Sequence, residues 1–100
     1  MTTLKSLQEY GAAFQTKVVA ALLTNHKFLK TIYDVVTPDY FDSQANKWIV
    51  EEVLKYYNKY HTTPTMESLH IEVKKLEQEV LKVSVKAQLK SSYSVIEAEK

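Results

Sequence analysis

Residues that interrupt regular backbone structure are almost absent from this chain. The 100 residues include one glycine, Gly11, and two prolines, Pro38 and Pro64. Because glycine and proline are the strongest local breakers of helices and strands, long uninterrupted segments remain between them. Apolar residues such as Val18 and Leu22 recur in these segments at helical spacing. The sequence therefore predicts an all-α fold, a compact bundle of about five to six short helices.

The first half of the chain predicts two helices and a turn. A core helix, apolar on two sides, is expected at about residues 8–24. Asn25 is a suitable N-cap for a second helix. That helix should stop by Thr37, because the residue before a proline avoids the α region. Thr37 then caps a short turn that starts at Pro38, since proline is favoured at the first helical position.

The middle of the chain predicts two further helices separated by a break. The first, at about residues 43–60, is capped by Asp42 or Ser43. Residues 61–64 contain Pro64 and interrupt it. Thr65 then caps the next helix. The residues of that helix expected to face inward are Met66, Leu69, Val73 and Leu76.

The last quarter of the chain allows two interpretations. The alternation over residues 81–86 is a strand pattern, whereas Leu81, Val85 and Leu89 fit a helix. An isolated strand has no visible partner here, so we predict a helix at about residues 78–90. Ser91 and Ser92 are then expected to cap a final segment that reaches Lys100.

Composition excludes several kinds of functional site. Cysteine is absent, which rules out disulfides and thiolate ligands. All 13 cations are lysines against 12 anions, so the net charge is +1. Without arginine the chain cannot form bidentate guanidinium contacts or supply an arginine finger. One glycine cannot build a phosphate-binding loop. The near-neutral charge is also not typical of a dedicated nucleic-acid binder, and no apolar run reaches the roughly 18 residues of a membrane span.

The titratable residues form no recognisable catalytic, cofactor or metal site. His26, His61 and His70 lack the spacing of a zinc motif. Glu51 and Glu52 have no nucleophile or second acid placed to work with them. We therefore expect surface or capping roles for these side chains, and no catalysis within this chain.

Two groups of residues are candidates for contacts with a partner. The helix at 43–60 is apolar on two sides, and one side is either core or a partner surface rich in aromatic anchors. Lysines spaced four residues apart form one stripe, which is either a solvated face or a contact for phosphates or an acidic partner. The candidate partner interface comprises Trp48, Val50, Leu54, Tyr57, Lys82, Lys86 and Lys90.

The order of several short motifs resembles a known family. The motifs are Val-Val-Ala-Ala-Leu-Leu at 18–23, Pro-Asp-Tyr-Phe at 38–41, an aromatic helix at 45–60, and Tyr-His-Thr-Thr-Pro-Thr at 60–65 followed by Leu69. Over about residues 14–75 the chain resembles the N-terminal domain of DnaB-type hexameric replicative DNA helicases, especially the T4-like bacteriophage version. Cellular members carry a His-Arg pair where this chain has residues 45–48, which favours the phage type.

The resemblance implies a role in DNA replication. In this family the domain is a helical collar that helps to assemble the hexameric ring and docks primase in the primosome. Residues 1–90 would form the collar domain, and residues 91–100 would begin a further helix or linker. ATP and Mg would bind in a motor domain after Lys100, so the parent would be the ATP-dependent helicase and this part no enzyme. The partners would be primase and neighbouring helicase subunits, with DNA contacted by the parent ring, in the cytoplasm of a phage-infected bacterial cell.

Two other interpretations compete with the collar domain. One is the helicase-binding helical domain of a primase, which has a similar fold. The other is a stand-alone phage protein, either a helical adaptor or a nucleic-acid-binding protein. The near-neutral charge and the absence of arginine argue against nucleic-acid binding.

Overall fold

The computed structural model describes the backbone of residues 11–98 and the side chains of residues 11–94. Within this part of the chain the all-α prediction is confirmed, because five α-helices and a 3₁₀ turn form with no strand. The 3₁₀ turn, Pro38–Tyr40, lies between α2 and α3. The helices are α1 (Ala12–Thr24), α2 (His26–Ile32), α3 (Gln44–Tyr60), α4 (Met66–Lys74) and α5 (Glu79–Ala98).

Helix α1 is the central helix, as its two apolar sides predict. It packs against α2, α3 and α5, and Val19, Leu22 and Leu23 on it are buried. The helix starts after Gly11, whose left-handed φ of 86° suits glycine. Residues 8–10 of the predicted helix lie outside the described residues.

Local capping chemistry determines the start of α2. Asn25 is the N-cap, and its side-chain oxygen accepts a hydrogen bond of 3.0 Å from the Phe28 N–H. The helix ends at Ile32, so it stops before Thr37 as predicted but several residues earlier. The predicted turn at Pro38 is also confirmed, with Thr37 at its N-cap position.

The residues that follow the 3₁₀ turn are fixed to α1. Phe41 is fully buried in the core. The Asp42 N–H donates a 3.0 Å hydrogen bond to Gln15 Oε1, and Gln15 Nε2 donates one of 3.3 Å to the Asp42 carboxylate. The Gln15 side chain is itself buried, whereas Asp42 is exposed, so only the Gln15 side of this hydrogen-bonded pair is shielded from competing water. The start of α3 is thereby positioned against α1.

Helix α3 is buried on both of its apolar sides. Of the two predicted caps Ser43 is the one used, since it accepts a 3.0 Å hydrogen bond from the Asn46 N–H. The helix ends at His61, which has the left-handed φ of 60° that commonly terminates helices. The buried apolar residues of α3 are Ala45, Ile49, Val50, Val53 and Tyr57.

Helix α4 has the predicted cap but a different inner face. Thr65 and Ser68 form a reciprocal capping box, and Leu69 and Val73 are buried. The inward orientation predicted for Met66 is wrong, because this residue is 45% exposed beside an open groove. Leu76 lies beyond the end of α4 and packs half-buried against the core.

Helix α5 is a single helix, so the break predicted at Ser91 and Ser92 is wrong. The helical interpretation over the strand-like alternation is confirmed. Val85, Leu89 and Ser92 are all buried and share one helical face. Continued burial of that face favours propagation of the helix past Ser91. The division between residues 90 and 91 therefore falls inside α5.

We predict that Phe41→Ala lowers the free energy of unfolding by about 3–5 kcal/mol, as for other buried phenylalanines. Most small domains have only about 5–15 kcal/mol in total, so partial unfolding at 37 °C is expected. Urea denaturation followed by circular dichroism measures the change. Val80→Ala, at a position 78% exposed, is the control and should stay within about 0.5 kcal/mol. Equal losses in the two variants would contradict the role of Phe41.

We also predict that His61→Gly is more stable than His61→Ala by about 1 kcal/mol, because only glycine adopts the left-handed region without a steric cost. Both variants remove the imidazole ring and keep the backbone carbonyl, so the comparison isolates the backbone conformation. Urea midpoints of the two variants give the difference. Identical midpoints would show that φ at this position is unstrained.

Candidate docking groove

The structure divides the predicted partner interface between core and surface. Val50 is fully buried and Tyr57 is only 9% exposed, so the placement of these two residues in a partner surface is wrong. The physical reason is that α1, α5 and the 3₁₀ turn together cover α3. Trp48 and Leu54 are half-buried and pack against the same core. The aromatic helix is therefore mainly a core element.

Tyr57 is the centre of a cluster that joins α2 to the end of α3. Its ring lies 4.8 Å from the Tyr33 ring and 5.9 Å, edge-on, from the His61 ring. The His26 Nε2 atom lies 3.0 Å from the His61 carbonyl oxygen. The Tyr33 hydroxyl donates a 2.7 Å hydrogen bond to Asn58. These contacts give His26 and His61 structural partners and account for both residues without a ligand.

The predicted lysine stripe leads to an open groove between α4 and α5. Lys82 is half-buried, whereas Lys86 and Lys90 are exposed and line the groove. Its volume is about 720 Å³. The residues that line it are Met66, His70 and Val73 from α4, and Lys86, Leu89, Lys90, Tyr93 and Ser94 from α5.

The groove has an apolar floor and a basic edge. Val73 and Leu89 are almost completely buried and form the floor. Met66 remains 45% exposed and Tyr93 is half-buried, so apolar surface is accessible above the floor. Lys86 and Lys90 lie one helical turn apart along the edge. An apolar surface bordered by charge is the usual form of a protein-binding site.

The two lysines at this edge have no ion-pair partner within the described residues. The ion pairs found there join Lys55 to Glu52 and Lys75 to Glu72, each within one helix. No carboxylate is among the described side chains that line the groove, so the charged groups described at this edge are the two ammonium groups. Burial raises the pKa of the Tyr93 phenol above its ordinary value.

A second depression lies between α3 and α4 and is less suited to binding. Its volume is about 300 Å³, less than half that of the first groove. Tyr56 and Tyr60 stack in it with ring centroids 4.5 Å apart. Both signs of charge line it, and Lys55 is already paired with Glu52. This surface is smaller than the first groove and presents no uniform charge to a partner.

Metal sites and membrane-spanning helices are both absent from the part of the chain that the structure describes. No three histidine or acidic side chains there lie close enough to hold a metal ion. No described helix combines the length and apolar character that crossing a bilayer requires.

Six residues of the groove lay outside the predicted partner interface, namely Met66, His70, Val73, Leu89, Tyr93 and Ser94. The spacing of residues on α4 and on α5 indicated which of them share a helical face. Met66 and His70 are spaced i, i+4, and so are Leu89 and Tyr93, which places each pair on one helical face. What the sequence could not show is that these two faces turn toward each other.

Comparison with known proteins gives no relative for this chain: no family profile, curated protein or solved structure matches it. Its function must therefore be argued from its own residues and their arrangement.

We predict that Tyr93→Phe reduces the loss of stability at alkaline pH. The pKa of Tyr93 is raised in the folded state above its ordinary value of about 10. Between those two values the folded state holds a proton that the unfolded state has lost, so the free energy of unfolding falls as pH rises. Phenylalanine cannot ionise and removes this contribution.

Urea denaturation at a series of pH values from 8 upward to about 11 checks this expectation. Tyr60→Phe, at an exposed position, is the control for loss of one phenolic hydroxyl. If the free energy of unfolding falls equally with pH in wild type and in Tyr93→Phe, the prediction is contradicted.

Proposed function

We propose that this chain is the N-terminal collar domain of a DnaB-type replicative DNA helicase of the T4-like phage kind. Its role would be ring assembly and primase docking, without catalysis of its own. The observation that carries the proposal is the ordered set of motifs at 18–23, 38–41 and 60–65 on an all-helical fold.

The structural role of each motif supports this proposal. The motif at 18–23 supplies much of the buried face of the central helix α1. The motif at 38–41 forms the 3₁₀ turn and ends in the buried Phe41. The motif at 60–65 ends α3 at a left-handed residue and caps α4. Spacing that serves such distinct structural roles is more specific than a match of composition.

The chemistry available to the chain favours binding over catalysis. A single glycine and no arginine leave the chain unable to form a phosphate-binding loop or an arginine finger. The groove between α4 and α5 offers instead an apolar floor and two lysines that have no ion-pair partner among the described residues. We propose that this surface docks primase or a neighbouring subunit. ATP and Mg would act in a motor domain elsewhere in the parent protein, in the cytoplasm of the bacterial host.

The decisive experiment is to read the parent gene beyond the codon for Lys100. We predict a strand followed by a G-x-x-x-x-G-K-[ST] motif within the same reading frame, because a helicase needs that loop to bind ATP phosphates. A stop codon soon after Lys100 would contradict the collar domain. The chain would then be a stand-alone helical adaptor, and the helicase proposal would rest on fold analogy alone.

A further inference from the structure

We propose that the α4–α5 groove binds one amphipathic helix of a partner protein, and that acidic residues flank the apolar stripe of that helix. The inference rests on the groove being a docking surface, as in the proposed function. It does not depend on the helicase identity, because it follows from the shape and charge of the groove.

The dimensions of the groove suit two turns of a helix. Its lining spans residues 66–73 on α4 and residues 86–94 on α5. At 1.5 Å per residue, each side is about 11–12 Å long. A helix laid along it would present anchors at i, i+3 or i+4, and i+7. The part of the chain that the structure describes has no strand, so an extended peptide would find no sheet edge with which to pair.

The apolar surface of the groove is suited to holding such anchors. Val73 and Leu89 close the floor, and Tyr93 adds an aromatic wall. Met66 stands 45% exposed at one end. An unbranched thioether side chain adapts its shape to a partner at little cost, and methionine is frequent at helix-binding surfaces for that reason.

The charge of the edge determines the kind of helix. Lys86 and Lys90 are four residues apart and have no carboxylate partner within the described residues. Glutamates or aspartates spaced one turn apart on an incoming helix would meet both ammonium groups. Exposed pairs of this type contribute mainly to orientation and to the rate of association, while the apolar anchors supply most of the affinity.

The positive charge of Lys86 and Lys90 argues against two other occupants of the groove, namely a second copy of this chain and a nucleic acid. Symmetric pairing of two copies through the groove would bring the lysine edges of both copies into one interface, and none of the described lining residues is acidic to offset them. A nucleic acid would require a longer basic track than two lysines, and the net charge of the chain is only +1. An acidic helix satisfies both the apolar floor and the basic edge.

The test uses two labelled synthetic helices of about 16 residues, which is long enough to populate a helix in water. Both carry leucines at i, i+3 and i+7; one carries flanking glutamates and the other lysines at the same positions. Fluorescence polarisation against the full chain should show the acidic helix binding at least about tenfold tighter than the basic one. Equal binding, or no binding of the acidic helix, would overturn the proposal.

A charge-reversal variant locates the binding site. Lys86→Glu together with Lys90→Glu should weaken the acidic helix by at least about tenfold and improve the basic one. Lys27→Glu together with Lys30→Glu changes the net charge equally on the exposed surface of α2, and should leave both affinities within about twofold. An equal effect of the two double variants would show non-specific attraction and overturn the assignment to the groove.

A second pair of variants tests the exposed apolar surface of the groove without disturbing the core. Met66→Glu places a charge in the groove at an exposed first-turn position, where a carboxylate is favourable to the helix. It should abolish binding of the acidic helix. Ile71→Glu, 55% exposed on α4 and outside the groove, should bind like wild type. Thermal melts of both variants confirm folding, and retained binding by folded Met66→Glu would overturn the proposal.

Two competition measurements test whether the groove instead binds a nucleic acid or a second copy of this chain. Displacement of the acidic helix by oligo(dT) would indicate a nucleic-acid site, and a dimer in sedimentation that excludes the helix would indicate a second copy. Either would overturn the proposal. Failure here is distinguishable from failure of the collar function, because the parent reading frame is read independently of any peptide. If the acidic helix binds and a stop codon follows Lys100, the groove proposal is supported and the collar-domain proposal is rejected.

Discussion

The hydrogen-bonded pair formed by Gln15 and Asp42 determines how the central helices meet. It joins residues 27 positions apart, and it is partly shielded from solvent because Gln15 and Phe41, which adjoins Asp42, are buried. Because α3 starts two residues after Asp42, fixing that residue on α1 also fixes the starting point of α3. That placement brings α3 against α1, and α2 and α5 pack against α1 as well.

The groove is a consequence of unequal helix lengths. Helix α5 has 20 residues and α4 has nine, so at 1.5 Å per residue they measure about 30 Å and 14 Å. Helices α1 and α3 cover one face of α5 with more extensive contacts than α4 makes. The short helix therefore leaves apolar surface around Leu89 and Tyr93 partly uncovered. Such a surface is costly in water unless a partner covers it.

The features that the sequence predicted correctly are those governed by local chemistry. Asn25, Ser43 and Thr65 cap helices because their side chains reach backbone N–H groups three residues on. The partner surface failed at Val50 and Tyr57 because periodicity shows that a face is apolar but not which neighbour covers it. Ser91 and Ser92 were mistaken for a cap because serine in a long helix resembles a helix start unless the buried face is known to continue.

The predicted lysine stripe borders a groove because α4 lies beside α5. On an isolated helix, Lys86 and Lys90 would belong to a solvated face, and such faces rarely signify function. Beside Val73 and Met66 they border an apolar floor, and none of the described lining residues is acidic. Charge alone would attract many partners weakly, and apolar surface alone would attract any hydrophobic helix. Their combination in one groove restricts the partner to an amphipathic helix with the complementary charge, which is how a small domain without a catalytic group can still act selectively.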